Sequence, residues 1–198
     1  MIAWLNFIVM IVFIVAFVLL YIRSVSPARL ESRLGEKAYQ HCGRIRAISI
    51  VILLLILGNY LIYDSSPLPT PGLMEFNWSY LTLVIVAIVI AIPTTYMVIV
   101  GMKDAGDEAI QPSKESKMFG GIYDHIRHPQ TWEYGYFFVL AFLLNNPFLV
   151  LFSLVWLPAM ILMIRAEEKD LLIRYGKEYQ SYMTRTGRLL PKRKKQVS

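Results

Sequence analysis

Residues 134–164 read YGYFFVLAFLLNNPFLVLFSLVWLPAMILMI. A transmembrane helix needs about 20 mostly apolar residues to cross roughly 30 Å of hydrocarbon, and this run is longer than one ordinary span. It is interrupted by Asn145-Asn146-Pro147, a strong turn signal. The two arms, 134–144 and 148–164, therefore predict a helical hairpin. Each arm is marginal in length, so tilt or local thinning of the bilayer accompanies it. A chain that enters the membrane after residue 133 then returns near residue 165 on the face it left.

Three further apolar stretches precede this one: residues 2–22, 47–63 and 78–101, the last carrying Pro93 as an expected kink. The first lacks a basic segment before it and is too long for the apolar core of a signal peptide, so it reads as a retained span. The expectation is an all-α, polytopic membrane protein with five transmembrane helices, the last two forming the hairpin. Composition agrees: 56% of residues are hydrophobic and 17% charged, against about 45–50% and about 25% in a soluble domain.

The net charge of +6 raises nucleic acid or anionic lipid as partners. Position decides between them. All 20 lysines and arginines lie in residues 23–46, in residues 102–133, or from Arg165 onward. The N-terminus, residues 64–77 and the Asn-Asn-Pro turn hold none. The positive-inside rule then places the N-terminus outside and the C-terminus in the cytoplasm. The basic face, with Lys192 to Lys195 at its end, is expected to meet anionic headgroups. No aromatic-basic platform accompanies the charge, which excludes a nucleic-acid role. None of the apolar spans holds a charged residue, which argues against an ion or proton pathway.

On that same face, Ser26 reads as an N-cap with Pro27 at the first helical position. ARLESRLGEKAYQ, residues 28–40, then predicts an interfacial helix with Leu30, Leu34 and Tyr39 near one side. Residues 102–133 form a connection too long to be idle. After the hairpin, Leu171, Leu172, Tyr175, Tyr179, Tyr182 and Met183 recur at helical spacing among charges. That predicts an amphipathic helix along the headgroup boundary, ended by Gly187 with Pro191 beyond.

The hairpin brings Arg127 and His128 towards Arg165, Glu167 and Glu168. Such a group offers guanidiniums for a carboxylate or phosphate, carboxylates for an amine, and nearby tyrosines for a flat ring. S-adenosylmethionine presents that set. A nicotinamide dinucleotide would use the arginines and tyrosines too, but normally asks for a Gly-rich turn opening a helix, and Gly120-Gly121 is weak evidence of one. Arg127 as a headgroup anchor and Glu167-Glu168 as a solvated helix start are the plainer alternatives. His125 and His128 lack enough companion ligands for a metal site, and no metal is expected. Cys42 is the single cysteine, so an internal disulfide and a cysteine-based zinc cluster are excluded.

The ordered series Gly121-Ile122-Tyr123, Arg127-His128-Pro129, hairpin, Glu167-Glu168-x-x-Leu171, Tyr175-Gly176-x-x-Tyr179-x-x-Tyr182 and Arg188-Leu189-Leu190-Pro191 resembles the isoprenylcysteine carboxyl methyltransferase family of membrane enzymes. Phospholipid N-methyltransferases share much of it. The match covers roughly residues 104–191. It implies S-adenosylmethionine-dependent methyl transfer to a lipophilic or lipid-modified acceptor at the cytoplasmic interface. It divides the chain into a membrane region, 1–101, and a cofactor-binding catalytic region, 102–198. By position, the resemblance implies that Gly121, Tyr123, His128 and Pro129 line the cofactor pocket. Glu167 and Glu168 lie near its amino-acid end or hold it together. Arg188 stands near the reaction centre, and Arg127 orients a carboxylate, so Arg188, Arg127 and Glu167 are the expected catalytic residues. Thr131 and Glu133 depart from the tyrosine and small residue usual at those positions. Sterol-reductase-like enzymes using NADPH, which are longer and carry more spans, and a non-catalytic membrane scaffold or transport component remain the alternatives.

Overall fold

The computed structural model describes residues 1–73, 75–114 and 120–192. Lys117 and the basic tail from Arg193 to Lys195 lie outside the described residues. The architecture is all-helical, and the described residues contain no strand beyond one isolated bridge between Ile126 and Gly187. The helices are α1 (Ile2–Ser24), α2 (Pro27–Leu34), α3 (Lys37–Ser65), α4 (Tyr80–Ala105), α5 (Gly135–Leu143), α6 (Pro147–Ser153) and α7 (Trp156–Arg185).

Four helical segments among the described residues are long and apolar enough to cross a membrane: Ile2–Ser24, Lys37–Ser65, Tyr80–Ala109 and Pro147–Arg185. Their outward faces are apolar, with Leu19, Leu54, Leu81 and Ile92 all exposed. That surface suits lipid and not water. With its nine residues, α5 rises only about 14 Å, and it is not one of the four.

Several expectations are corrected in detail. The helix expected to run through residue 40 breaks at Gly35, whose φ is +57°. The chain restarts at Lys37 as α3, and no breaker stops it before Ser65, so Arg44 and Arg46 ride on the same helix as the apolar span. Ser26 occupies the N-cap position of α2 but does not cap it. Its hydroxyl donates back to the carbonyl of Ile22 at 2.9 Å. The cap comes from Asp170 on α7, whose carboxylate accepts the amides of Ala28 at 3.3 Å and Arg29 at 3.2 Å. An acid at a helix N-terminus meets both the orphan amides and the positive end of the dipole. The amphipathic helix is not separate from the last span. It continues α7 without interruption to Gly176, where φ is +53°, a conformation glycine adopts at no steric cost. A second helical stretch then runs on to Arg185.

The core is aromatic. Trp156 is 1% exposed and stacks on Tyr134 at 4.9 Å and on Phe137 at 4.5 Å. Phe17 of α1 meets its edge at 5.6 Å. The hydroxyl of Tyr60 on α3 bonds that of Ser153 at 3.2 Å. Asn145 takes the left-handed conformation with φ +53°, and the side-chain oxygen of Asn146 caps α6 by accepting the amide of Leu149 at 3.0 Å. On either side of these asparagines the contacts nest. The amide of Asn146 reaches the Ala141 carbonyl at 3.0 Å, Phe137 meets Trp156, Tyr134 donates to the Met163 sulfur at 3.7 Å, and His128 reaches Glu167 at 3.1 Å.

Candidate functional site

Two short segments build one wall. Residues 125–128 lie alongside residues 187–188: the Arg127 amide donates to the Gly187 carbonyl at 2.8 Å, the His128 amide to Arg188 at 3.1 Å, and the Gly187 amide to His125 at 3.0 Å. A side chain on Gly187 would run into the Leu190 carbonyl. Tyr182 ties this wall to the preceding turn by donating to the Tyr123 carbonyl at 2.6 Å, and Tyr123 donates to the Gly101 carbonyl of α4 at 3.2 Å. Gly121 opens that turn with φ +66°, directly over the Asp104 carboxylate. Asp104 accepts the Ile122 amide at 2.7 Å. Only glycine fits there, because its backbone is left-handed and a Cβ would occupy the space of the carboxylate.

The charged groups converge on α7. Glu168, 4% exposed, accepts from Nε and Nη2 of Arg127 at 3.0 and 2.8 Å. It also accepts from Nη2 of Arg188 at 2.8 Å and meets Nε2 of His128 at 3.4 Å. Nη1 of Arg127 donates to the Thr186 carbonyl at 2.6 Å. Nδ1 of His128 meets Glu167 at 3.1 Å. Burial of the His128 ring acts to lower its pKa, but the bonds to Glu167 and Glu168 outweigh this and hold it above 6.5. Both ring nitrogens thus face carboxylate oxygens, an arrangement that favours the protonated ring.

This cluster borders a cavity whose non-atom space, open solvent at its mouth included, is about 910 Å³. Of the residues singled out in the sequence, Tyr123, Arg127, His128 and Glu167 line it. Glu168 and Arg188 stand behind as partners of the lining groups. Pro129 is buried against Gly101, and Gly121 shapes the turn below. His125 is exposed while His128 is buried, so the two do not share a site. Among the described residues no group of three or more metal-ligating side chains occurs.

Other cavity residues were not anticipated: Tyr21 of α1, Arg46 of α3, Glu108 and Arg174. Arg46 donates to the carbonyls of Glu108 at 2.8 Å and Ala109 at 3.2 Å. Arg174 pairs with the Glu108 carboxylate at 3.0 Å and lies over the Tyr175 ring at 5.0 Å. The sequence signalled Arg46 and Arg174 only as members of the basic face. Both halves of the chain, 1–101 and 102–198, thus contribute to one cavity. No protein-family model and no curated protein compared with the chain matches it.

Proposed function

We propose that the chain is an integral membrane methyltransferase that uses S-adenosylmethionine to methylate a lipophilic or lipid-modified acceptor. One observation carries the reading: the His128–Glu167 and Arg127–Glu168 pairs, drawn from segments 39 and 41 residues apart, meet at the wall of a cavity lined with tyrosines. The donor set suits the cofactor. Glu167 offers a carboxylate for an amine, the tyrosines offer faces for a purine, and the buried Tyr179 hydroxyl has no partner among the described residues. When bound, S-adenosylmethionine supplies an activated methyl group, so transfer asks mainly for proximity and alignment.

In this reading Glu167 holds the amino group, and His128, bonded on both nitrogens, keeps Glu167 and Glu168 in register. Arg127, clamped by Glu168, presents positive charge to an anionic acceptor, and Arg188 supports it from behind through the same carboxylate. A His128 held by carboxylates at both ring nitrogens is poorly placed to act as a base. The site therefore favours an acceptor that arrives deprotonated, such as a carboxylate, over an amine that must lose a proton. The reading includes five membrane crossings, with 134–164 as a helical hairpin, an outer N-terminus and a cytoplasmic C-terminus. The nested contacts around Asn145-Asn146 and the one-sided lysines and arginines support it.

Calorimetric titration of the detergent-purified protein with S-adenosylhomocysteine and with NADPH tests the proposal. Binding of the first alone is expected. No heat from S-adenosylhomocysteine at high micromolar concentration sinks it, and binding of NADPH in its place points to a reductase.

A further inference from the structure

Among the described residues four cations line the cavity, and three have a carboxylate partner. Arg127 pairs with Glu168 at 2.8 Å, His128 with Glu167 at 3.1 Å and Arg174 with Glu108 at 3.0 Å. Arg46 has none within 4.0 Å among the described residues, although it is only partly exposed. Its Nη1 bonds two neutral carbonyls, and its Nε is buried without an acceptor. A guanidinium removed from bulk water with its charge uncompensated is costly unless a counterion arrives.

A second observation points the same way. Six buried side-chain polar atoms among the described residues lack a partner, and three of them belong to cavity residues: Arg46 Nε, Arg174 Nε and the Tyr179 hydroxyl. All three are donors. Arg174 is itself well buried, its side chain 7% exposed. Unmet donors are rare in folded proteins, and several around one cavity ask for an acceptor.

We infer that Arg46 anchors an anion-binding subsite of this cavity that takes a carboxylate or a phosphate. Arg46 is suited to this because α3 carries it without a break from the apolar span, so its Cα cannot swing away. Its Nη1 bonds to Glu108 and Ala109 fix the plane of the fork, whose remaining N–H groups are left for an oxygen acceptor. Arg46 lines the same cavity as His128 and Glu167, so the anion it takes lies in the same compartment as that pair. Assignment of that anion rests on the proposed function: it is either the carboxylate of the cofactor or the anionic headgroup of a lipid acceptor.

The test uses the full-length protein and Arg46→Gln. Thermal unfolding is followed in sulfate against chloride at matched ionic strength. Binding of S-adenosylhomocysteine is compared with that of 5′-methylthioadenosine, which lacks the amino-acid carboxylate. Stability is also compared in phosphatidylcholine nanodiscs with and without phosphatidylglycerol. Sulfate is expected to stabilise the wild type and not Arg46→Gln. A loss of at least tenfold for S-adenosylhomocysteine alone assigns the subsite to the cofactor carboxylate. An Arg46-dependent response to phosphatidylglycerol alone assigns it to a lipid headgroup. A protein that binds neither nucleoside yet keeps the Arg46-dependent sulfate response loses the methyltransferase reading and retains the subsite. Identical responses of Arg46→Gln and wild type to every probe overturn the subsite while leaving the cofactor reading intact. Should Arg46→Gln fail to fold, Arg46→Lys serves in its place. A wild type indifferent to sulfate, S-adenosylhomocysteine and phosphatidylglycerol overturns the subsite without any variant.

Discussion

Arg127 and Glu168 meet as a buried ion pair, Nη2 to Oε1 at 2.8 Å, with both side chains 6% exposed. Removing one member leaves the other charged and unpaired. Glu168→Ala is expected to destabilise the protein by roughly 3–5 kcal/mol, read from denaturant unfolding followed by tryptophan fluorescence. Arg188 pairs with the same carboxylate from a side chain 43% exposed, and solvent screens it. Arg188→Ala should cost less than about 1 kcal/mol. Equal losses for the two variants would contradict the burial difference.

His128 and Glu167 supply the test of the cofactor site. His128→Ala and Glu167→Ala are each expected to weaken S-adenosylhomocysteine binding at least tenfold (about 1.4 kcal/mol). Arg33→Ala, on the exposed side of α2, should leave it unchanged. Uniform behaviour of the three variants would place the ligand elsewhere.

Two groups outside the spans make stability fall with rising pH. Burial pushes Glu133 up to about 7, so the folded protein holds a proton that the unfolded chain releases near 4.5, and stability declines between those values. His128 is held above 6.5 by its glutamates. Its contribution is full below that pH and is lost as pH rises through the folded value. Glu133→Gln should flatten the lower part of the profile and His128→Gln the upper part, as measured by melting temperature from pH 4.5 to 9. A profile unaltered in both variants would refute the assignment.

Asp170 caps a helix far from it in sequence. Asp170→Ala is expected to cost about 1–2 kcal/mol and, by loosening the backbone of α2, to speed tryptic cleavage after Arg29 and Arg33, whose side chains are already exposed. Unchanged cleavage kinetics would show that α2 does not depend on this cap.

The buried Tyr179 hydroxyl lacks a partner among the described residues. Tyr179→Phe should therefore leave the melting temperature unchanged or raise it, since an unsatisfied polar atom is removed. The same variant should weaken ligand binding several-fold. A large drop in melting temperature without ligand would mean the hydroxyl is already satisfied.

The membrane-embedded helices were legible in the primary structure because hydrocarbon demands long uncharged runs, and residues 2–22, 47–63 and 78–101 are visible without any tertiary information. So was the approach of Arg127 and His128 to Glu167 and Glu168, which the turn signal at Asn145-Asn146-Pro147 let the sequence anticipate. The continuity of α3 through Lys37–Ser65 and the break at Gly176 were not legible. Glycine marks positions where the backbone can turn, and the packing around it sets whether it does. Nor could a local pattern show that Asp170, rather than Ser26, caps α2, because the partners stand 142 and 141 residues apart. The identity of Arg46 as a cavity residue belongs to the same class. In sequence it is one more cation on a basic face. Only when α1, α3 and α7 close around a common space does it become, among the described residues, the lining cation without a carboxylate, because charge compensation depends on which side chains share a compartment and not on their order along the chain.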